Sequence, residues 1–155
     1  MPEAAETIRS LYEALARRDG EAAAACYAPD ATFRDAAFRL SGADVGDMWR
    51  MLTERGKDLR IDYRLVGDDA AEWTADYTFQ GHPVHNVIHS TFEFDDAGRI
   101  KRQVDTFDFP TWARQALGWK GRLLGRFTLL QAAVQKGSAA SLSRWQRRRA
   151  DRQSA

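Results

Sequence analysis

Four stretches of alternating apolar and polar residues follow one another between residues 59 and 107, and short turns separate them. They cover Leu59–Leu65, Trp73–Phe79, Val84–Phe94 and Arg99–Phe107. A period of two is typical of strands that bury one face. Parallel pairing would require crossover segments of about a dozen residues, so the short turns predict an antiparallel meander.

Helical periodicity precedes these strands. An apolar stripe that begins at Ile8 has the i, i+3, i+4 spacing of a helix and predicts one over residues 2–18. Residues 21–27 predict a short alanine-rich helix, and residues 31–35 predict a short first strand. Ser41, followed by an aspartate three residues later, forms a capping box that predicts a third helix.

Two further helical segments follow the strands. Asp108 can cap a helix that begins near Pro110 and ends at Gly118. A second apolar stripe precedes Gly137 and comprises Leu123, Leu124, Phe127, Leu130 and Val134. The 155 residues fit one α+β domain, because a second domain has no room. We assign residues 1–117 to the domain and residues 118–155 to a basic helical extension with a frayed end.

The net charge of +1 hides an asymmetry between these parts. Residues 1–110 hold 13 Lys and Arg against 21 Asp and Glu, which gives −8, whereas residues 111–155 hold 10 against 1, which gives +9. The basic end can therefore lie over the acidic body. Contact with an anionic membrane surface is the alternative. Nucleic acid is not expected as a partner, because the body is acidic and no reading motif is present.

Several classes of protein lack support in the sequence. No apolar run approaches the roughly 20 residues that cross a bilayer, and the N-terminal residues are acidic where a secretory signal is basic, so we expect a cytoplasmic location. Glycine-rich phosphate loops, a GxSxG elbow and clustered metal ligands are also missing. We therefore expect neither a cofactor nor a metal.

Three segments carry a resemblance to a known superfamily. Residues 27–35 (YAPDATFRD) look like the entry to its first strand, residues 94–100 (FDDAGRI) look like its final hairpin, and residues 104–108 (VDTFD) look like the end of its last strand. In this order the segments resemble the nuclear transport factor 2-like superfamily, with its SnoaL-like, ketosteroid isomerase-like and limonene epoxide hydrolase-like members. The resemblance implies a conical α+β fold in which helices and a strongly curved antiparallel sheet enclose a pocket.

The resemblance also implies candidate catalytic acids. Asp35 matches the proton-transferring aspartate of ketosteroid isomerase, Asp105 matches the water-activating aspartate of limonene epoxide hydrolase, and Asp76 approximately matches its acid. Burial in an apolar pocket disfavours the charged carboxylate and raises its pKa toward the range useful for proton transfer. The alternative for Asp35 is a hydrogen bond to the loop before the third helix, and for Asp105 a bond to a neighbouring element.

His85 and His89 lie four residues apart on one strand and share one face of it. Their spacing of about 14 Å is too long to hold one metal ion. Either can serve as an acid or base beside Asp35 or Asp105, as the histidines of scytalone dehydratase do beside an aspartate in a comparable pocket. The alternative is a histidine that is satisfied within the sheet.

Aromatic residues supply the apolar lining of the expected pocket. We expect contacts with substrate from Tyr12, Phe33, Trp49 and Phe107. In the second predicted strand, Asp76 and the aromatic residues occupy alternate positions and therefore point to opposite faces of the sheet. Either Asp76 faces the pocket and a homodimer covers the aromatics on the outer sheet face, as is common in the superfamily, or the aromatics face the pocket and Asp76 lies at the surface.

The sequence thus predicts a small-molecule-binding protein of the SnoaL-like type, with an apolar or polycyclic ligand and a homodimer formed through the outer sheet face. Any catalysis would be cofactor-free proton transfer, and isomerisation, dehydration, cyclisation and hydrolysis all fit. The alternative is a non-catalytic module that uses the same fold to bind a ligand or a protein.

Overall fold

The computed structural model describes residues 2–120 and 127–155. Of the apolar stripe that precedes Gly137, Leu123 and Leu124 lie outside the described residues. Nowhere in the described parts of the chain does a helix have the length and apolar character needed to cross a membrane.

The described residues form five helices and six strands. The helices are α1 (Pro2–Ala16), α2 (Gly20–Ala24), α3 (Ala43–Arg55), α4 (Phe109–Leu117) and α5 (Phe127–Ser154). The strands are β1 (Tyr27–Arg34), β2 (Arg39–Ser41), β3 (Arg60–Leu65), β4 (Ala70–Phe79), β5 (His82–Phe94) and β6 (Ile100–Thr106). The predicted α+β class and the four long strands are confirmed.

All six strands belong to one sheet with the order β2-β1-β6-β5-β4-β3. The pairs from β3 to β6 are antiparallel, as the short turns predicted. β1 instead pairs in parallel with β6, which brings the end of the first strand beside the end of the last. The chain thereby places residues that are 70 positions apart in sequence on neighbouring strands, as Arg34 and Val104 show.

One face of the sheet packs against the helices and forms the core. Along β5 every second side chain from Val84 to Phe92 is buried, and the residues between them are exposed. α1 contributes Ile8, Leu11 and Leu15 at helical spacing, all of them buried in the same cluster. Burial of apolar area at about 25 cal/mol per Å² is the main force that holds the helices on this inner face.

The start of α3 differs from the capping box predicted at Ser41. The N-cap is Gly42, which has φ +63° and makes no side-chain cap hydrogen bond. Ser41 belongs to β2, where it pairs with Thr32, so its backbone is held in the ladder and the residue is not the cap. A short edge strand therefore occupies the position that the sequence assigned to a helix cap.

α5 continues through Gly137 and lies against α2 and α3. Leu142 and Trp145 are buried in the core cluster, and the Trp145 Nε1 donates a hydrogen bond of 2.7 Å to Glu54 Oε2. Arg149 forms ion pairs with Glu21 at 3.3 Å and with Asp47 at 4.0 Å. The basic end of the chain thus lies over acidic residues of the body.

Two glycines inside helices are expected to respond to alanine in opposite directions. A Cβ at Gly137 meets nothing within 4 Å, so Gly137→Ala should stabilise the protein by about 1 kcal/mol through helix propensity. A Cβ at Gly46 would lie 2.9 Å from the Ala24 Cβ, so Gly46→Ala should destabilise it by about 1–3 kcal/mol. Urea unfolding of both variants checks the pair; destabilisation by Gly137→Ala would contradict the position of α5.

Candidate active site

The inner face of the sheet carries a small set of polar side chains among apolar ones. In the described residues the buried polar or charged side chains are those of Thr53, Asn86, Ser90, Gln103 and Asp105. Thr53 bonds within its own helix. The other four lie on β5 and β6, at positions whose parity points them toward the helices. Burial of a polar side chain is unfavourable unless it is bonded, so each position requires an explanation.

Asp105 lies at the centre of a hydrogen-bond network. It is 6% exposed and stands opposite Ser90 in the β5–β6 ladder. The Ser90 Oγ donates to Asp105 Oδ1 at 2.5 Å, and the Gln103 Nε2 donates to the same oxygen at 2.8 Å. The Ser90 Oγ in turn accepts hydrogen bonds from Tyr12 Oη at 2.9 Å and from Trp73 Nε1 at 2.8 Å. One carboxylate oxygen is therefore fixed by two donors.

The network continues from Gln103 toward the helices. The Tyr27 Oη donates to Gln103 Oε1 and accepts a hydrogen bond of 2.7 Å from the Trp49 Nε1. With its carbonyl oxygen facing the tyrosine hydroxyl, the Gln103 amide must turn its NH₂ group toward Asp105. The network therefore fixes Gln103 as a donor to the carboxyl group.

The second oxygen of Asp105, Oδ2, is not held by any described residue. It accepts no hydrogen bond from any described residue, and every fully buried side-chain nitrogen or oxygen in residues 2–120 and 127–155 has a partner. Oδ2 therefore keeps some accessible surface. Burial raises the pKa of Asp105 to about 7, the hydrogen bonds from Ser90 and Gln103 lower it, and the charge of Asp35 raises it.

Asp35 lies beside Asp105 at the parallel pairing of β1 with β6. Arg34, the last residue of β1, is in register with Val104, and an aspartate follows each of them in the chain. The Asp35 Oδ1 accepts hydrogen bonds from the backbone N–H of Ala37 at 2.7 Å and of Phe38 at 2.6 Å. The loop-bonding role considered for Asp35 is therefore present in the structure.

The environment of Asp35 also favours proton transfer. Burial raises its pKa to about 6, although the two backbone hydrogen bonds lower it. Like that of Asp105, its Oδ2 accepts no hydrogen bond in the described part of the chain. Two carboxyl groups with raised pKa values, each anchored by Oδ1 and open at Oδ2, can act together as one acid and one base.

The other predicted catalytic residues lie elsewhere. Asp76, His85 and His89 are on the outer face of β4 and β5, where the Asp76 Oδ1 lies 2.6 Å from the His85 Nδ1 and both side chains are substantially exposed. His89 is exposed and stands opposite Glu72. The structure therefore does not bring these three residues to Asp35 and Asp105.

The parity of β4 explains this placement. Trp73 and Ala75 are buried in the core, and the indole nitrogen of Trp73 bonds to Ser90 inside it, so the alternate residue Asp76 must face outward. Of the two alternatives that the sequence left open, the observed one has aromatics inside and Asp76 at the surface. Because these aromatics lie inside, they give no reason to expect a partner over the outer face. The homodimer stays a prediction.

Three of the four residues expected to contact substrate belong to the packed core. Tyr12, Phe33 and Trp49 are at most 5% exposed, and Tyr12 and Trp49 donate hydrogen bonds in the Asp105 network. Phe107 is only partly buried and contacts both apolar clusters of the protein. Phe107 is therefore the member of the set placed where a ligand could reach it without displacing the core.

Sequence reasoning missed three polar side chains on the inner face of the sheet. Gln103 and Asn86 are polar residues at inner-face positions of otherwise apolar strands. Tyr77, noted only as an apolar strand residue, accepts a hydrogen bond of 2.7 Å from the Trp112 Nε1. The available signal was parity: once Ile88 is placed inside, Asn86 must be inside as well.

The N-terminal half of α5 lies over the loop that follows Asp35. The amides of Gln131 and Gln135 both donate to the Ala36 carbonyl, at 3.3 and 3.2 Å. Leu130 and Val134 pack against the apolar cluster that contains Trp112. This half of the helix therefore covers the Asp35 side of the domain.

Two grooves lie on the described protein, and one of them borders the carboxyl pair through Arg34, Gln103 and Val104. One, of about 450 Å³, lies between α2, α3 and α5, and the other, of about 360 Å³, lies at the edge formed by β1, β2 and β6. Neither is lined by Asp35 or Asp105. Among the described side chains, no three His, Cys, Asp or Glu residues come together as a metal site requires.

Comparison with known proteins agrees with this architecture. The model of the SnoaL-like domain matches residues 8–103. No curated protein matches the chain significantly. An epoxide hydrolase of M. tuberculosis described as limonene epoxide hydrolase-like is 23% identical with a TM-score of 0.58, over 83% of this chain and 96% of that one.

Two further solved structures have the same fold. A protein of ketosteroid isomerase-like fold from Catenulispora acidiphila, in complex with trimethylamine, is 14% identical with a TM-score of 0.60, over 72% of this chain and 92% of that one. A proposed polyketide cyclase from a Silicibacter species is 18% identical with a TM-score of 0.61, over 71% of this chain and 92% of that one. At these identities the likeness establishes the fold and confirms the predicted resemblance.

Proposed function

This chain belongs to the SnoaL-like family, and from that premise we propose that it binds a small apolar molecule at the inner face of the sheet and transfers protons with Asp35 and Asp105. One observation carries the proposal: two neighbouring carboxyl groups, that of Asp105 buried and that of Asp35 half-buried, are each held by Oδ1, have raised pKa values of about 7 and about 6, and accept no hydrogen bond at Oδ2 from a described residue. Perturbed acids of this kind are typical of functional sites.

The hydrogen bonds suggest which oxygen reacts. Because the Asp105 Oδ1 already accepts from Ser90 and Gln103, a proton on Asp105 belongs on Oδ2. The Asp35 Oδ1 is likewise occupied by backbone N–H groups, so its Oδ2 is the basic atom. Between about pH 6 and about pH 7 the pair holds roughly one proton. Asp35 then acts as the base and Asp105 as the acid.

Such a pair can catalyse several reactions on an apolar substrate. Asp35 would remove a proton from carbon or water while the Asp105 Oδ2 donates one to a developing oxyanion or leaving oxygen. Isomerisation, dehydration, cyclisation and hydrolysis share this step. No part of it requires a cofactor.

Hydrogen–deuterium exchange tests the shared step without knowledge of the natural substrate. We expect the protein to accelerate exchange at the carbon next to the carbonyl of cyclohexanone, 1-indanone or 2-tetralone in D₂O, followed by NMR. The rate should rise through about pH 6 as Asp35 ionises and fall through about pH 7 as Asp105 ionises. Asp35→Asn and Asp105→Asn should each lower it by about 10²–10⁴-fold.

Asp76→Asn is the matched control, because it removes a carboxylate from the outer face of the same sheet. Its exchange rate should equal that of the unchanged protein. An equal loss in Asp76→Asn would move the chemistry to the outer face. Absence of exchange with all three ketones, despite measurable binding, would favour the second candidate.

The second candidate is a non-catalytic ligand-binding or interaction module. It is favoured by the packing around Asp105, where Tyr12 and Trp49 are buried and hydrogen-bonded, and by the lining of the two described grooves, which includes neither Asp35 nor Asp105. A homodimer through the outer sheet face is compatible with either candidate. On that face Val87 is 60% exposed and would lie within such a contact.

A further inference from the structure

Asn86 is a buried amide without a protein partner. Its residue is 8% exposed, and its side chain makes no hydrogen bond in residues 2–120 and 127–155. Every fully buried side-chain nitrogen or oxygen in those residues is bonded, so the Asn86 amide must touch accessible space. An amide without a protein partner at a buried position stabilises a fold less than leucine would, because leucine has a similar size and its burial carries no desolvation penalty for a polar group.

The neighbours of Asn86 on the inner face are apolar and offer it no hydrogen bond. It lies between Val84 and Ile88 on the inner face of β5, and its cross-strand partner is Ala75 on β4. Alanine carries a single methyl group, so the cross-strand neighbour cannot bond to the amide. An apolar wall with one polar group is typical of small-molecule sites.

Tyr77 brings a second free donor to the same region. It stands opposite Val84, so Tyr77 and Asn86 are diagonal neighbours on the inner face, where side chains start about 7–8 Å apart. The Tyr77 Oη accepts a hydrogen bond from Trp112 but donates none to any described residue. Burial raises the pKa of Tyr77, and the charge of Asp35 raises it further, so the hydroxyl stays protonated close to that acid.

We infer that the Asn86 amide and the Tyr77 hydroxyl together bind the carbonyl oxygen of an otherwise apolar ligand. Two N–H or O–H donors and no fixed cation suit a neutral oxygen with two lone pairs. The inference deepens the proposed function, because a carbonyl held here would place its neighbouring carbon on the Asp35 side of the sheet. Asn86 would then select carbonyl compounds from apolar molecules of similar shape.

The test uses 1-indanone as the probe. Ligand-observed NMR measures its dissociation constant, and infrared spectroscopy measures the C=O stretching frequency of the bound probe. Asn86→Leu should weaken binding about 10-fold and shift the stretch toward its value in an apolar solvent. The same substitution should raise the melting temperature of the free protein, because it removes an unpaired amide. Tyr77→Phe removes the other donor and should shift the C=O stretch in the same direction. This variant tests the inference even if Asn86→Leu fails to fold.

Ile88→Val is the control, since it alters the same wall and leaves both donors in place. Its C=O stretch should equal that of the unchanged protein. The inference is overturned if Asn86→Leu and Tyr77→Phe leave the stretch unchanged, if the unchanged protein does not bind 1-indanone, or if Asn86→Leu lowers the melting temperature without affecting the probe.

The same measurements in an Asp105→Asn background separate this inference from the proposed function. If 1-indanone binding still depends on Asn86 in the Asp105→Asn background, and the unchanged protein catalyses no ketone exchange, the carbonyl site is retained and the acid–base pair is rejected. If ketone exchange depends on Asp105 but the C=O stretch of bound 1-indanone is the same in Asn86→Leu, the acid–base pair is retained and the carbonyl site is rejected.

Discussion

Asp105→Asn is expected to stabilise the protein at pH 8 while it slows proton transfer by about 10²–10⁴-fold. The folded-state pKa of Asp105, about 7, lies above the unfolded value of about 3.9, so the folded protein binds the extra proton between these values. Stability is therefore lost as the pH rises from about 4 to about 7. Asparagine keeps an oxygen for Ser90 and Gln103 but carries no charge, so it avoids a loss of at most about 4 kcal/mol.

Thermal unfolding of both proteins between pH 4 and pH 8 measures this effect. The two melting temperatures should converge near pH 4 and separate by several degrees at pH 8. Asp95→Asn is a control of opposite sign, because hydrogen bonds from Arg99 and Ala97 lower the pKa of Asp95 in its exposed hairpin. The Asp95 carboxylate therefore stabilises the folded protein above its unfolded pKa, and this stabilisation is lost as the pH falls. A lower melting temperature for Asp105→Asn at pH 8 would mean that the network requires a charged carboxylate.

The fold follows from local patterns because its four long strands are joined by short turns. Alternation fixes each strand to within a few residues, as β3 (Arg60–Leu65) shows against the predicted Leu59–Leu65. The parallel pairing of β1 with β6 leaves no such local sign, because it joins segments about 70 residues apart. The β2 edge strand is three residues long and was hidden by the capping-box signal at Ser41.

The candidate site was predictable only in part. Asp35 and Asp105 are named by the resemblance, and the structure adds that they are neighbours across the parallel pair. Asp76 on β4 and His85 on β5 share one face of the sheet, and only the burial of Trp73 decides that this face is the outer one. Asn86 was missed because a single polar residue in an apolar strand has no periodic signature, although parity with Ile88 would have placed it inside.

Trp145→Ala is expected to destabilise the whole protein by about 3–5 kcal/mol, as truncation of a buried tryptophan does elsewhere. The side chain is 4% exposed, lies in the main core cluster, and loses its hydrogen bond to Glu54 and its contact with the Arg149 guanidinium, 5.3 Å from the ring. A loss of this size would make residues 118–155 part of the folding unit of residues 1–117. The sequence, in contrast, treats them as an extension.

Trp119→Ala is the matched control, because Trp119 is 66% exposed and its truncation should change the free energy of unfolding by no more than about 0.5 kcal/mol. Urea unfolding followed by circular dichroism compares the two variants. A single transition shifted to lower urea in Trp145→Ala indicates one cooperative unit. Two transitions, with the first confined to helix loss, would show instead that α5 detaches from a domain that is stable without it.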